Sequence, residues 1–69
     1  MPEKAEYIGA RRVRQRYDNI SDMTLWRWIR DPDMGFPKPV YLGRYRFWRV
    51  ADLQRWEAEQ ARRGKDAAA

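Results

Sequence analysis

The side chains best suited to chemistry in this 69-residue chain are its arginines. There is no Cys and no His, which removes thiolate nucleophiles, the commonest general base and the usual zinc ligands. Carboxylates are scattered, and Asp31 and Asp33 flank a proline, where structural use is the default. No glycine-rich phosphate loop is present. No catalytic residue, metal site or cofactor is therefore expected, and the chain does not read as an enzyme. Twelve Arg and three Lys against ten Asp and Glu give a net charge of +5. A guanidinium is a planar fork of donors that matches phosphate oxygens and the guanine edge. The chemistry on offer is the holding of a polyanion, nucleic acid first; the plain alternative is a soluble basic surface.

Arg27 is the first candidate. Leu25, Trp28 and Ile29 recur at i, i+3 and i+4, the apolar stripe of an amphipathic helix. Arg27 falls opposite them with Met23, Trp26 and Arg30, and Thr24 lies on the flank. Ser21 is a strong N-cap, and Asp22 puts negative charge in the first turn, where the helix dipole favours it. The helix is predicted from Asp22 to Arg30. An outward Arg on such a helix can read guanine in the major groove. Met23 and Thr24 lie near its start, where Thr24 can meet a phosphate or a thymine methyl, or serve only to begin the helix. Trp26 reads equally as an edge against DNA sugars and as packing against a neighbouring hairpin. Ser21 is a cap first and a phosphate contact second. Arg30 suits either a phosphate or a surface pairing with Asp31 or Asp33.

Other elements must position this helix. A helix is predicted from Ala10 to about Tyr17, with Gly9 as N-cap and Ala10, Val13 and Tyr17 on one face. Arg11, Arg12, Arg14 and Arg16 cover the rest, mixing phosphate contact with solubility. Asp18-Asn19 breaks it, since both residues tolerate left-handed geometry, and Ile20 plugs the corner. After Arg30, the run Asp31 to Gly35 is a turn, and Phe36-Pro37-Lys38-Pro39 is an extended lead-in rather than a central strand. Val40–Leu42 and Tyr45–Trp48 flank Gly43-Arg44, which suits a type II′ hairpin. Arg44 at the tip and Arg46 just after it are expected over the minor groove, with no acidic neighbour; edge protection is the alternative.

A closing helix is predicted from Val50 to Arg62, with Leu53 and Trp56 inward and Gly64 as its stop. Residues 1–6 read as a flexible leader, 7–62 as the domain and 63–69 as a disordered tail. Trp28, Trp48 and Trp56 are expected in the core, which in so short a chain needs aromatic bulk. No apolar run approaches the roughly 18 residues of a membrane span, and the polar N-terminus is not a signal peptide. A cytoplasmic protein without membrane contact is expected.

The fold class is thus mainly α with a small β-hairpin: helix-turn-helix, two-stranded wing, closing helix. The residues at its joints resemble a known family. Ser21-Asp22-Met23-Thr24-Leu25-Trp26-Arg27-Trp28-Ile29 resembles the recognition-helix signature of AlpA-type phage regulators. Phe36-Pro37-Lys38-Pro39-Val40 resembles their lead into the wing, Leu42-Gly43-Arg44 with Arg46-Phe47-Trp48 the wing itself, and Asp52-Leu53 with Trp56 the start of the closing helix. The resemblance covers roughly residues 7–59. Gly9 departs from it, standing where such proteins often carry Ser or Thr.

The resemblance implies a MerR-like winged helix-turn-helix. It also implies either a transcription regulator or an excisionase, a recombination directionality factor that bends or coats DNA so that an integrase runs in the excisive direction. The expectation is sequence-specific binding of double-stranded DNA by an excisionase-like factor at the nucleoid. The expected partners are an integrase and further copies of the chain side by side. With no second domain to recruit polymerase, the architectural role leads and a small transcription regulator comes second. From other classes, a protein-interaction adaptor with a merely soluble basic surface, and an RNA binder that stacks on loop bases, remain as rivals.

Overall fold

The computed structural model describes residues 6–68, so residues 1–5 of the expected leader, and Ala69, lie outside the described residues. The chain runs β1 (Tyr7–Gly9), α1 (Ala10–Arg16), α2 (Asp22–Arg30), β2 (Val40–Leu42), β3 (Tyr45–Arg49) and α3 (Val50–Ala68). The described residues form three helices and a three-stranded antiparallel sheet.

Local chemistry sets the helix ends. Ser21 is extended, and its side chain accepts from the Thr24 backbone N–H at 3.0 Å, which satisfies one of the free donors at the start of α2. Gly9 offers α1 no side-chain cap. That helix stops where Asp18 and Asn19 turn left-handed, with φ of 66° and 58°. The Arg14 side chain closes the same turn, its Nε donating to the Ile20 carbonyl at 3.2 Å. Arg14 is therefore occupied within the fold rather than free on the surface.

The sheet differs from the expected two-stranded wing. Its order is β1-β3-β2, and β1 pairs with the far edge of β3, Ile8 opposite Trp48. A two-stranded hairpin alone is marginal in water. The third strand makes β3 central and covers Trp48, which is fully buried. At the hairpin turn Gly43 has φ +69° while Arg44 stays out of the positive region, the sign pattern of a type II′ turn.

The core joins all three helices to the sheet. Val13, Leu25, Trp48 and Leu53 are fully buried, with Ile8 and Phe36 nearly so. Tyr17, Trp28, Phe36 and Trp56 form one aromatic cluster, every pair having ring centroids 4.9–6.3 Å apart and all but one meeting edge to face. Phe36 reaches this cluster from the segment between α2 and β2. Two indole N–H groups pin that segment: Trp48 Nε1 donates to the Pro37 carbonyl at 2.9 Å, and Trp56 Nε1 to the Met34 carbonyl at 3.0 Å.

A polar clasp joins α1 to α3. Glu57 accepts two hydrogen bonds from Arg16 and one, at 2.6 Å, from the Tyr17 hydroxyl. The Arg16 guanidinium holds the Glu57 carboxyl below the usual carboxylate range. Burial, and then the carboxylate, push the Tyr17 phenol up. Beyond the clasp α3 continues through Gly64 to Ala68, past the expected end at Arg62, in place of the expected disordered tail. A glycine inside a helix costs about 1 kcal/mol relative to Ala, and Arg62, Arg63, Lys65, Ala67 and Ala68 around it are good helix formers. No helix among the described residues is long and apolar enough to cross a membrane.

Candidate functional site

Packing decides which side of α2 is free. Leu25 is fully buried, and Trp28 and Ile29 pack on the core, so the residues at i, i+3, i+4 and i+7 on the other side turn outward: Met23, Trp26, Arg27 and Arg30. Met23 is 58% and Trp26 48% exposed, large values for apolar side chains. All four lie on one continuous stripe, as the apolar periodicity predicts.

Within the stripe the side chains are not independent. The Arg30 guanidinium lies 4.7 Å from the centroid of the Trp26 ring, a cation–π stack. Arg30 thus pairs with neither Asp31 nor Asp33, and the Asp31 carboxylate instead accepts from the Asp33 backbone N–H at 3.0 Å. Trp26 is outside the core cluster. Arg27 forms no ion pair among the described residues. At the start of the helix, the Ser21 hydroxyl donates to the Thr24 hydroxyl at 3.0 Å while accepting from the Thr24 N–H. Both residues are therefore engaged in capping.

The two hairpin arginines separate. Arg46 shares a sheet face with Trp48, so its side chain runs inward, toward α2. Its Nη2 meets the Asp22 carboxylate at 3.1 Å, and its guanidinium carbon lies 5.9 Å from the Trp48 ring centroid. The expectation that this part of the hairpin lacks acidic neighbours is wrong for Arg46. Strand alternation dictates the outcome, since every second residue of β3 faces the core side and the first turn of α2 borders that side. Arg44, in the turn itself, is exposed and has no ion pair among the described residues. Of the four arginines of α1, Arg14 and Arg16 are held by Ile20 and Glu57, while Arg11 and Arg12 are exposed.

The structure thus groups Met23, Trp26, Arg27 and Arg30, attaches Arg46 to them through Asp22, and sets Arg44 apart at the hairpin end. Tyr41 joins the group unforeseen. It borders a cleft of about 430 Å³ with Ile29, Arg30, Lys38 and Pro39, because it stands opposite Arg46 on the face toward α2. Period-2 alternation along β2 is the signal that could have found it. Among the described residues no group of three or more metal-ligating side chains occurs. The arrangement can supply hydrogen bonds, charge and aromatic contact to an anionic surface. No family model, curated protein or solved structure matches the chain.

Proposed function

We propose that the chain is a winged helix-turn-helix protein that binds double-stranded DNA in a sequence-specific way. In this reading α2 enters the major groove and the β2–β3 hairpin is the wing. The observation that carries the reading is the outward stripe of α2, Arg27 without an ion pair among the described residues and Arg30 stacked on Trp26, with Met23 beside them, backed by a fully buried Leu25. An α-helix with its side chains is about 10–12 Å across, which the roughly 12 Å wide major groove admits. Arg27 is assigned to base edges, with Met23, Trp26 and Arg30 beside it. Ser21 and Thr24 hold the helix start, where its N–H groups can also meet a phosphate. Arg44 is assigned to the backbone or minor groove beyond, and Arg46 to fixing the hairpin against α2.

The biological role proposed is that of an excisionase-like directionality factor, on the strength of the AlpA-type resemblance in the recognition helix, lead-in and hairpin. Copies would load side by side on repeated sites, bend the DNA and present it to an integrase. A small transcription regulator is the second reading and uses the same contacts.

Duplexes selected from a random pool test the molecular claim. Affinity should fall with salt on a log–log slope of about −0.9 per phosphate neutralised. Arg27→Ala should cost about 1–3 kcal/mol on the selected site and relax discrimination, whereas Arg44→Ala should weaken selected and random duplexes alike. A slope near zero refutes duplex binding through the basic surface. Gel shifts on one, two and three adjacent sites, with a circular-permutation bending assay, separate the two roles. Tight single-site binding without bend or cooperativity rules out the architectural one.

A further inference from the structure

The face of the sheet turned away from the core is uncovered. Ile8 and Trp48 stand opposite one another and both are buried, so Tyr7, Gly9, Phe47 and Arg49 point to the other side. The register adds Val40, Leu42 and Tyr45 to that side. Tyr7 is 41% and Tyr45 67% exposed, with Leu42 at 50%. Beside α1 this face opens into a cleft of about 410 Å³, bordered by Gly9, Ala10 and Arg11 and by the run Arg44, Tyr45, Arg46 and Phe47. That volume lies within the roughly 300–1,000 Å³ of ligand clefts. Gly9 is extended, with φ −81° and ψ 176°, a conformation open to any residue, so no backbone requirement puts glycine there. A Cβ at this position would lie 3.7 Å from the edge of the Phe47 ring, an ordinary van der Waals contact, so the Phe47 ring flanks Gly9 at the cleft without requiring glycine there.

We propose that this cleft binds single-stranded nucleic acid, an unpaired base stacking on Tyr45 and Phe47 while Arg11 and Arg44 hold the adjoining phosphates. Tyr45 and Phe47 share this space with Arg11 and Arg44, which have no acidic partner among the described residues, and with Arg46, which Asp22 holds; aromatic rings beside free guanidiniums are the pairing of stacking platform and cationic rim that unpaired strands need. A peptide has less to hold. The free edge of β2 is three residues long and follows Pro39, so it offers little backbone for an added strand. Tyr45 and Phe47 face away from α2, which approaches the other face of the sheet through Asp22 and Arg46, and Arg46 also borders the cleft. The cleft site does not depend on α2 entering a duplex, although Arg44 is shared by the two readings and a bound duplex would compete for it.

Fluorescein-labelled oligo-dT, oligo-U and a blunt duplex, each titrated with the full chain and followed by anisotropy, test this. Tyr45 is largely exposed, so its replacement leaves the fold intact, which a melting curve checks. Tyr45→Leu should weaken both oligonucleotides about tenfold, Tyr45→Phe should keep them within about twofold, and neither should change duplex affinity. Arg27→Ala should do the reverse. Unchanged oligonucleotide affinity in Tyr45→Leu overturns the proposal. So does parallel loss of oligonucleotide and duplex in Arg27→Ala, which marks one undivided basic surface. Tighter binding of a poly(Glu, Tyr) copolymer than of either oligonucleotide also overturns it, in favour of an acidic protein partner. Failure of the duplex arm alone refutes the groove-binding role of α2 and leaves the cleft site standing.

Discussion

Glu57→Gln removes the one negative charge in the clasp between α1 and α3 while keeping its shape. The carboxylate accepts from Arg16 Nε at 2.5 Å, from Arg16 Nη2 at 2.9 Å and from the Tyr17 hydroxyl at 2.6 Å. A hydrogen bond to a charged group contributes about 1.5–3 kcal/mol when shielded. Here the two side chains of the ion pair are 32% and 33% exposed, and solvent screens much of that. Gln retains one acceptor for Tyr17, so the expected loss is about 1–2 kcal/mol. A chain of this length has roughly 3–10 kcal/mol in all, and the melting midpoint should fall by about 5–15 °C. The pH dependence has a definite sign. The folded carboxyl titrates below its ordinary value near 4.5, so its contribution is present above that pH and is lost as pH falls through the lowered value. The folded phenol titrates above its ordinary value of 10.0, so its contribution is present below that pH and lost as pH rises through the raised value. Thermal melts across this range should show an acid limb in the wild type that is flattened in Glu57→Gln. Coincident midpoints at neutral pH, with acid limbs of equal steepness, would refute the clasp.

Trp28→Ala removes a ring in contact with Tyr17, Phe36 and Trp56 and should cost about 3–5 kcal/mol, leaving most of the chain unfolded by near-UV circular dichroism; a folded variant that loses only nucleic-acid binding would make Trp28 a contact residue. Asp22→Asn frees Arg46 from an exposed ion pair, so stability should change by less than about 1 kcal/mol while the salt slope for duplex steepens by about 0.9. An unchanged slope would leave Arg46 bound to the sheet rather than to phosphate. Gly43→Ala should cost about 1–2 kcal/mol in denaturant melts, since its φ of +69° strains any residue with a Cβ; an unchanged melt would show that the turn relaxes freely.

What local signals control was legible in the residues. Ser21, Asp22 and the Leu25-Trp28-Ile29 stripe located α2 from Asp22 to Arg30, and with it the outward stripe of the candidate site. Gly43 announced its turn. The Trp26–Arg30 stack sits at i, i+4 and was open to the same reasoning, although the acids next to Arg30 looked the better partners. Long-range pairings were not legible. Three residues at Tyr7–Gly9 are too few to show alternation, and their partner strand lies beyond both intervening helices. The partners of Glu57 sit on another helix, and nothing near Glu57 in sequence marks it. Arg46 went astray for a subtler reason: closeness to the hairpin tip suggested a free cation, whereas alternation put it on the face of Trp48 and so within reach of Asp22.

The distribution of the four indoles makes the protein its own optical instrument. Trp28 and Trp56 lie 5.7 Å apart with their planes tilted by 39°, close and skewed enough for their transitions to couple into a split circular-dichroism band. That band exists only while the core is closed. Trp48 and Trp56 emit from sites where their N–H groups are bound to carbonyls. Trp26 stands outside the cluster, half open to water beneath a guanidinium, and its emission is expected at the red edge. The couplet reports folding and the red-edge emission reports what touches α2, so both can be followed in one unlabelled sample.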